Sequence, residues 1–206
     1  MPAGIKIYNE DGSVALEVGG HVLDGMPDHS QLVGQIAAAW AQAEAELGGY
    51  LAYLMKTTPE RTFALMSAFR SADRTVQGAS ALAAVAIDDD FKLEAFKKIL
   101  KRFKILADER NLILHAVWAA SPTREGLLIH LKAIDYSMFA TQLLACANPD
   151  EQVNFARAFV DRAGGYSIDQ LGDLKDRLYR LVHDVAAQKT DHMAADAFGV
   201  APPAKP

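Results

Sequence analysis

The chain of 206 residues has one cysteine, Cys146. No internal disulfide can form, which excludes a disulfide-stapled scaffold and fits a reducing compartment; Cys146 reads as a small core residue. Long apolar runs are missing too. The longest, "ALAAVAI" at 81–87, is far too short to cross a bilayer. The opening "MPAGIKIYNEDG" has neither a basic nor an apolar stretch, so no signal peptide is expected and the location is expected to be cytoplasmic. Positive charge is in short supply: 21 Lys and Arg face 26 Asp and Glu, a net charge of -5. That excludes a general nucleic-acid coat protein but leaves room for a local basic site. There is no glycine-rich phosphate loop and no serine nucleophile elbow. His21 and His29, near Asp24 and Asp28, match no tight ligand spacing, so neither a metal nor a cofactor is expected.

What is present is helical periodicity over a chain that is 50% hydrophobic, enough for one domain with a real core. Residues 5–18 alternate like a β-hairpin about the "NEDG" turn, and 19–30 read as loop. From a cap at Ser30 a helix is expected to about Lys56, with Trp40, Glu44, Leu47, Leu51 and Leu54 spaced four, three, four and three. Thr58 and Pro59 start a second helix, with Phe63, Met66 and Phe69 inward; a third covers about 73–86. Asp88 to Asp90 cap a fourth. "HAVWAA" and "LLIHLKAI" suggest a second hairpin over about 116–134. Helix returns at 149–162, and "SIDQ" is a capping box for a last helix to about Ala195. The expected fold is thus mainly α: a helical bundle (31–195), a hairpin extension (1–30) and a mobile tail (196–206).

The fourth helix holds the informative pattern. Phe96, Leu100, Phe103, Ala107, Arg110, Leu114 and Val117 form an apolar stripe with one arginine in it. One residue further round lies a polar stripe: Lys97, Lys101, Lys104, Asp108, Asn111, His115 and Trp118. Seven basic and three acidic side chains fall between Lys92 and Arg110, so an acidic chain concentrates positive charge here. Arginine, four to six residues, then histidine is a weak pattern, met also at Arg124–His130 and Arg177–His183. The first of these spans a turn and a strand, and neither carries asparagine after the arginine. Arg-Asn-x-x-x-His, found only at 110–115, is expected by chance in about one in two hundred such sequences.

Arg110-Asn111-x-x-x-His115 resembles the signature of the HEPN superfamily, helical domains found in many prokaryotic ribonucleases, toxins and phage-defence proteins. The resemblance covers about 31–190 as architecture and six residues as motif. It implies metal-independent RNA cleavage by 2′-OH attack, in a homodimer with RNA as substrate and, for a toxin, a cognate antitoxin. His115 would be the base, since imidazole titrates near neutrality, Arg110 would meet the phosphoryl oxygens, and Asn111 would orient either. Glu44 and Asp108 are candidate supports for that pair. Lys97, Lys101 and Lys104 could track an RNA backbone, and Trp118 could stack a base. A purely structural reading uses the same residues: Arg110 paired with Glu44, Asn111 and His115 finishing the helix, and Trp118 in the core. A non-catalytic scaffold or interaction module is therefore the alternative.

Overall fold

The alternation of Ile5 and Ile7 against Val14, Leu16 and Val18 does produce a hairpin. In the computed structural model, which describes residues 4–69 and 71–197, β1 (Ile5–Tyr8) pairs antiparallel with β2 (Val14–Val18). The Asp11 carboxylate accepts from the Ser13 backbone N–H at 2.9 Å and its hydroxyl at 2.6 Å, and Gly12 takes φ 81°, where a Cβ would be strained. The second expected hairpin is present as β3 (Val117–Ala120) and β4 (Leu128–Leu131).

The sheet is larger than either hairpin. β2 pairs with β3, and the two-residue β5 (Gly165–Tyr166) joins β4, giving one antiparallel sheet in the order β1-β2-β3-β4-β5. The hairpin expected as an N-terminal extension is therefore one edge of a five-stranded sheet whose other strands come from 117–166.

The described residues hold seven α-helices: α1 (Pro27–Leu54), α2 (Pro59–Phe69), α3 (Ala72–Ala86), α4 (Asp90–Leu114), α5 (Ala133–Ala145), α6 (Pro149–Arg162) and α7 (Ile168–Ala197). Several starts follow from local chemistry. Asp89 Oδ1 accepts from the N–H groups of Phe91 and Lys92, capping α4. Ser167 and Gln170 form a reciprocal capping box at α7, with bonds of 2.9 and 3.2 Å. Two expectations shift. α1 begins at Pro27, three residues before Ser30, because proline's fixed φ suits the first helical position; a 3₁₀ turn, Gly20–Gly25, fills the expected loop. β4 stops at Leu131, and α5 takes Ala133 and Ile134 from the expected strand and continues to Ala145, where the sequence suggests no element. Of the expected tail, residues 198–206 lie outside the described residues.

The chain divides into two compact units. One runs to Ile36 and resumes over Arg110–Leu174. Its core lies between the sheet and the α5–α6 pair: Leu16, Val18, Ala119, Ile129 and Leu131 meet Phe139, Leu143, Ala156 and Val160. Phe139 stacks on Phe155 at 5.6 Å and tilts against Phe159 at 4.7 Å. Fully burying the Phe139 ring contributes about 1.5–3 kcal/mol.

The other unit comprises Ala37–Glu109 and the chain from Lys175 onward. Here Trp40 packs on Phe103 at 4.6 Å and Tyr50 edge-on against Phe96 at 4.8 Å, joining α1 to α4. Leu178, Leu181 and Val185 of α7 are buried, and the Tyr50 hydroxyl lies 2.9 Å from His192 Nδ1. The α1 stripe is rotated slightly from expectation: Ala43, fully buried, holds the inner position and Glu44 sits half-buried at its rim. Phe63 is 39% exposed, yet its ring covers Gly48, where a Cβ would fall 2.6 Å from Cζ.

Candidate functional site

The Arg-Asn-x-x-x-His motif occupies the last turn of α4 and the residue just after it. Arg110 is half-buried, while Asn111 and His115 are exposed. Arg110 Nη1 donates to Asn111 Oδ1 at 2.7 Å, so a neutral amide orients the guanidinium. The His115 backbone N–H closes the helix onto the Asn111 carbonyl at 3.1 Å, leaving the imidazole at the surface. Ile113, fully buried, anchors this turn. The structure thus joins Arg110 to Asn111. Arg110 and His115 remain about 140° apart around the helix axis, from its angular period.

The supporting residues fare differently. Trp118 is not on the helical stripe: α4 ends at Leu114, and Trp118 is a β3 residue only 6% exposed, opposite His130 in the ladder. Strand periodicity replaces helical periodicity there, and a buried ring offers no face to a base. Asp108 holds Lys104, Oδ2 to Nζ 3.1 Å, and this bond, with the nearby charge of Asp73, raises the lysine's pKa. Lys97 is paired with Glu94 at 2.7 Å, which lowers that carboxyl's pKa. Among the described residues, Lys101 is the stripe lysine left without an ion pair. Glu44 and these lysines belong to the unit of Ala37–Glu109, and the motif to the other.

His21 and His29 each lie beside a partner. His29 is buried with Nε2 3.2 Å from the Gly126 carbonyl, and His21 Nε2 lies 2.5 Å from Glu17 Oε1. Arg124 serves the fold: its Nη1 donates to the carbonyls of Val160, at 2.9 Å, and Ala163, at 2.5 Å, closing the end of α6. Arg177 is bonded to Glu109, and His183 is exposed beside Asp184.

Two concavities had no clear signal in the sequence. One, of about 500 Å³, lies on α4 and α7 and is lined by Arg102, Arg177 and Arg180 with Ile105; Arg102 is tied to Asp184 at 2.7 Å. The other, of about 430 Å³, opens between the end of β4, α5 and α6, with His130 in its wall. His130 was visible only as the second member of the loose Arg124–His130 pattern.

No family model, no curated protein and no solved structure matches the chain. No described helix is long and apolar enough to cross a membrane.

Proposed function

We propose that the chain is a HEPN-like, metal-independent endoribonuclease acting through the C-terminal end of α4. The supporting observation is the Arg110–Asn111 bond of 2.7 Å on the helical turn that ends at a solvent-exposed His115. His115 takes the proton of a ribose 2′-OH, the 2′ oxygen attacks phosphorus, and the P–O5′ bond breaks. The departing 5′ oxygen takes a proton from water. The products are a 2′,3′-cyclic phosphate and a 5′-OH. Arg110 donates to the non-bridging oxygens as charge develops there, and Asn111 fixes the plane of its guanidinium.

One helix does not present Arg110 and His115 to a single phosphate, because of their angular separation. The proposal therefore includes a homodimer in which two copies of the helix end face each other across the RNA. A toxin or phage-defence role, with an antitoxin partner, follows the same resemblance.

The non-catalytic alternative is favoured by the ion pairing of Lys97 and Lys104 and by the burial of Trp118, which together remove much of the expected RNA-tracking surface. The deciding experiment is cleavage of a labelled mixed-sequence RNA in excess EDTA, beside His115→Ala and Arg110→Ala. Cyclic-phosphate ends, lost in both folded variants, support the nuclease. Binding without cutting supports the alternative, and neither binding nor cutting removes RNA from the account.

A further inference from the structure

The cavity beside His130 brings together groups that the fold does not otherwise use. Its rim carries two cations, Lys132 from the start of α5 and Arg162 from the end of α6, and one acid, Asp135. Arg162 Nε is bonded to the Ala158 carbonyl, which leaves both terminal amino groups of the guanidinium available. Among the described residues neither cation has an ion-pair partner, so the rim keeps a net positive charge. Met138 and Phe159 add apolar wall, and Met138 is 54% exposed.

The His130 ring is closely held although its Nδ1 has no hydrogen-bond partner among the described residues. Its ring lies against Tyr166 at 5.2 Å, and Gly164 packs on its edge so closely that a Cβ there would be 2.3 Å from Cε1. Its backbone N–H is bonded to the Gly164 carbonyl at 3.1 Å, but its Nδ1 is buried with no hydrogen-bond partner among the described residues. Buried polar atoms are normally satisfied, and an exception beside a concavity calls for a partner. Burial, reinforced by Lys132 and opposed by Asp135, lowers the pKa of the imidazole, so near neutrality it is an uncharged group that can accept as well as donate.

We propose that this cavity is a binding site for a small organic anion with an apolar body, its anionic head on Lys132 and Arg162, its body on Met138 and Phe159, and a hydrogen bond to His130. The volume of about 430 Å³ falls within the range of small-molecule sites, and a few polar groups converging on apolar wall is their usual composition. The head is a carboxylate or a phosphate monoester, since a guanidinium accommodates either in two-point contact. The site shares no residue with the motif at 110–115 and does not depend on the nuclease reading.

The test is a titration of the full chain with benzoate and with phenyl phosphate, followed by NMR at the His130 ring and the Met138 methyl. Benzyl alcohol supplies the same ring without charge. The expected result is saturable, concerted shifts at both residues with one or both anions, and binding at least about tenfold weaker for benzyl alcohol. Stronger binding of phenyl phosphate assigns a phosphate head; the reverse assigns a carboxylate. Arg162→Gln and Lys132→Gln, both at exposed positions, should each weaken anion binding about tenfold while leaving the spectrum of the fold unchanged. Met138→Trp, which fills the mouth, should abolish the shifts at His130. The proposal is overturned if neither anion shifts His130 saturably, if benzyl alcohol binds as well as the anions, or if the two charge-removing variants bind unchanged.

Discussion

Gly164→Ala is the sharpest test of how His130 is held. Gly164 does not have positive φ, so alanine suits its backbone, and on that ground alone the substitution should stabilise the fold by about 0.4–1 kcal/mol through the unfolded state. Packing opposes this. The new Cβ would lie 2.3 Å from His130 Cε1 and 3.1 Å from both ring nitrogens, well inside the ~3.5–4.0 Å optimum for carbon contacts. The ring cannot simply retreat, because Tyr166 packs against it. Overpacking of this kind costs about 1–3 kcal/mol, so the net effect should be a destabilisation of about 1–2 kcal/mol. In a His130→Ala background the obstacle is gone and the sign should reverse to a gain of about 0.4–1 kcal/mol. The assay is urea denaturation of the four chains of this double-mutant cycle, followed by the fluorescence of Trp118, which is buried in the same unit. An equal gain in both backgrounds would refute the reasoning, since Gly164 would then not be keeping space for the ring.

Acid should weaken the fold partly through His130. Its folded-state pKa is lowered below 6.5 by burial, so the unfolded chain binds the proton first; stability is intact above pH 6.5 and falls as pH drops below it. The stability difference between the native chain and His130→Asn should therefore shrink between pH 7.5 and pH 5.5, measured by urea midpoints, and a difference that stays flat or grows sinks the assignment. Ser167→Ala removes one half of the α7 capping box and should cost about 0.5–2 kcal/mol, with faster hydrogen exchange at the Gln170 amide; unchanged exchange would mean the cap does not form. Tyr50, its phenol pushed up to about 12 by burial, should stay un-ionised while exposed tyrosines titrate. Ultraviolet titration of Tyr50→Phe should then show the same absorbance change below pH 11 as the native chain.

The fold was legible where local chemistry is strong. Thr58-Pro59, the aspartates at 88–90 and the Ser167–Gln170 box each mark a helix start by a side chain or ring suited to the first turn, and both hairpins carry period-two alternation. α5 was hidden because Lys132, at its cap, makes no side-chain bond, and because "AIDYSMFATQLLA" exposes Ile134 and Met138 as well as burying Phe139 and Leu143. A helix with apolar residues on its outer face loses the contrast that reveals a stripe. The pairing of β2 with β3 joins residues about a hundred positions apart, and no local pattern encodes that.

The candidate site divides along the same line. Arg110, Asn111 and His115 could be found because one helix imposes their spacing, and the exposure of Asn111 and His115 agrees with the polar stripe on which they were placed. Trp118 fails because the same stripe was extended past Leu114, where the chain becomes a strand and its side chains follow another period. His130 was passed over for the opposite reason. Its surroundings come from Lys132 and Asp135 on one side, Arg162 and Gly164 more than thirty residues away, and Tyr166 in a strand too short to recognise. A motif scan rewards residues that are regular along the chain. A cavity is made by residues that are irregular along the chain and adjacent in space, so the two searches find different sites in the same protein, and each needs its own experiment.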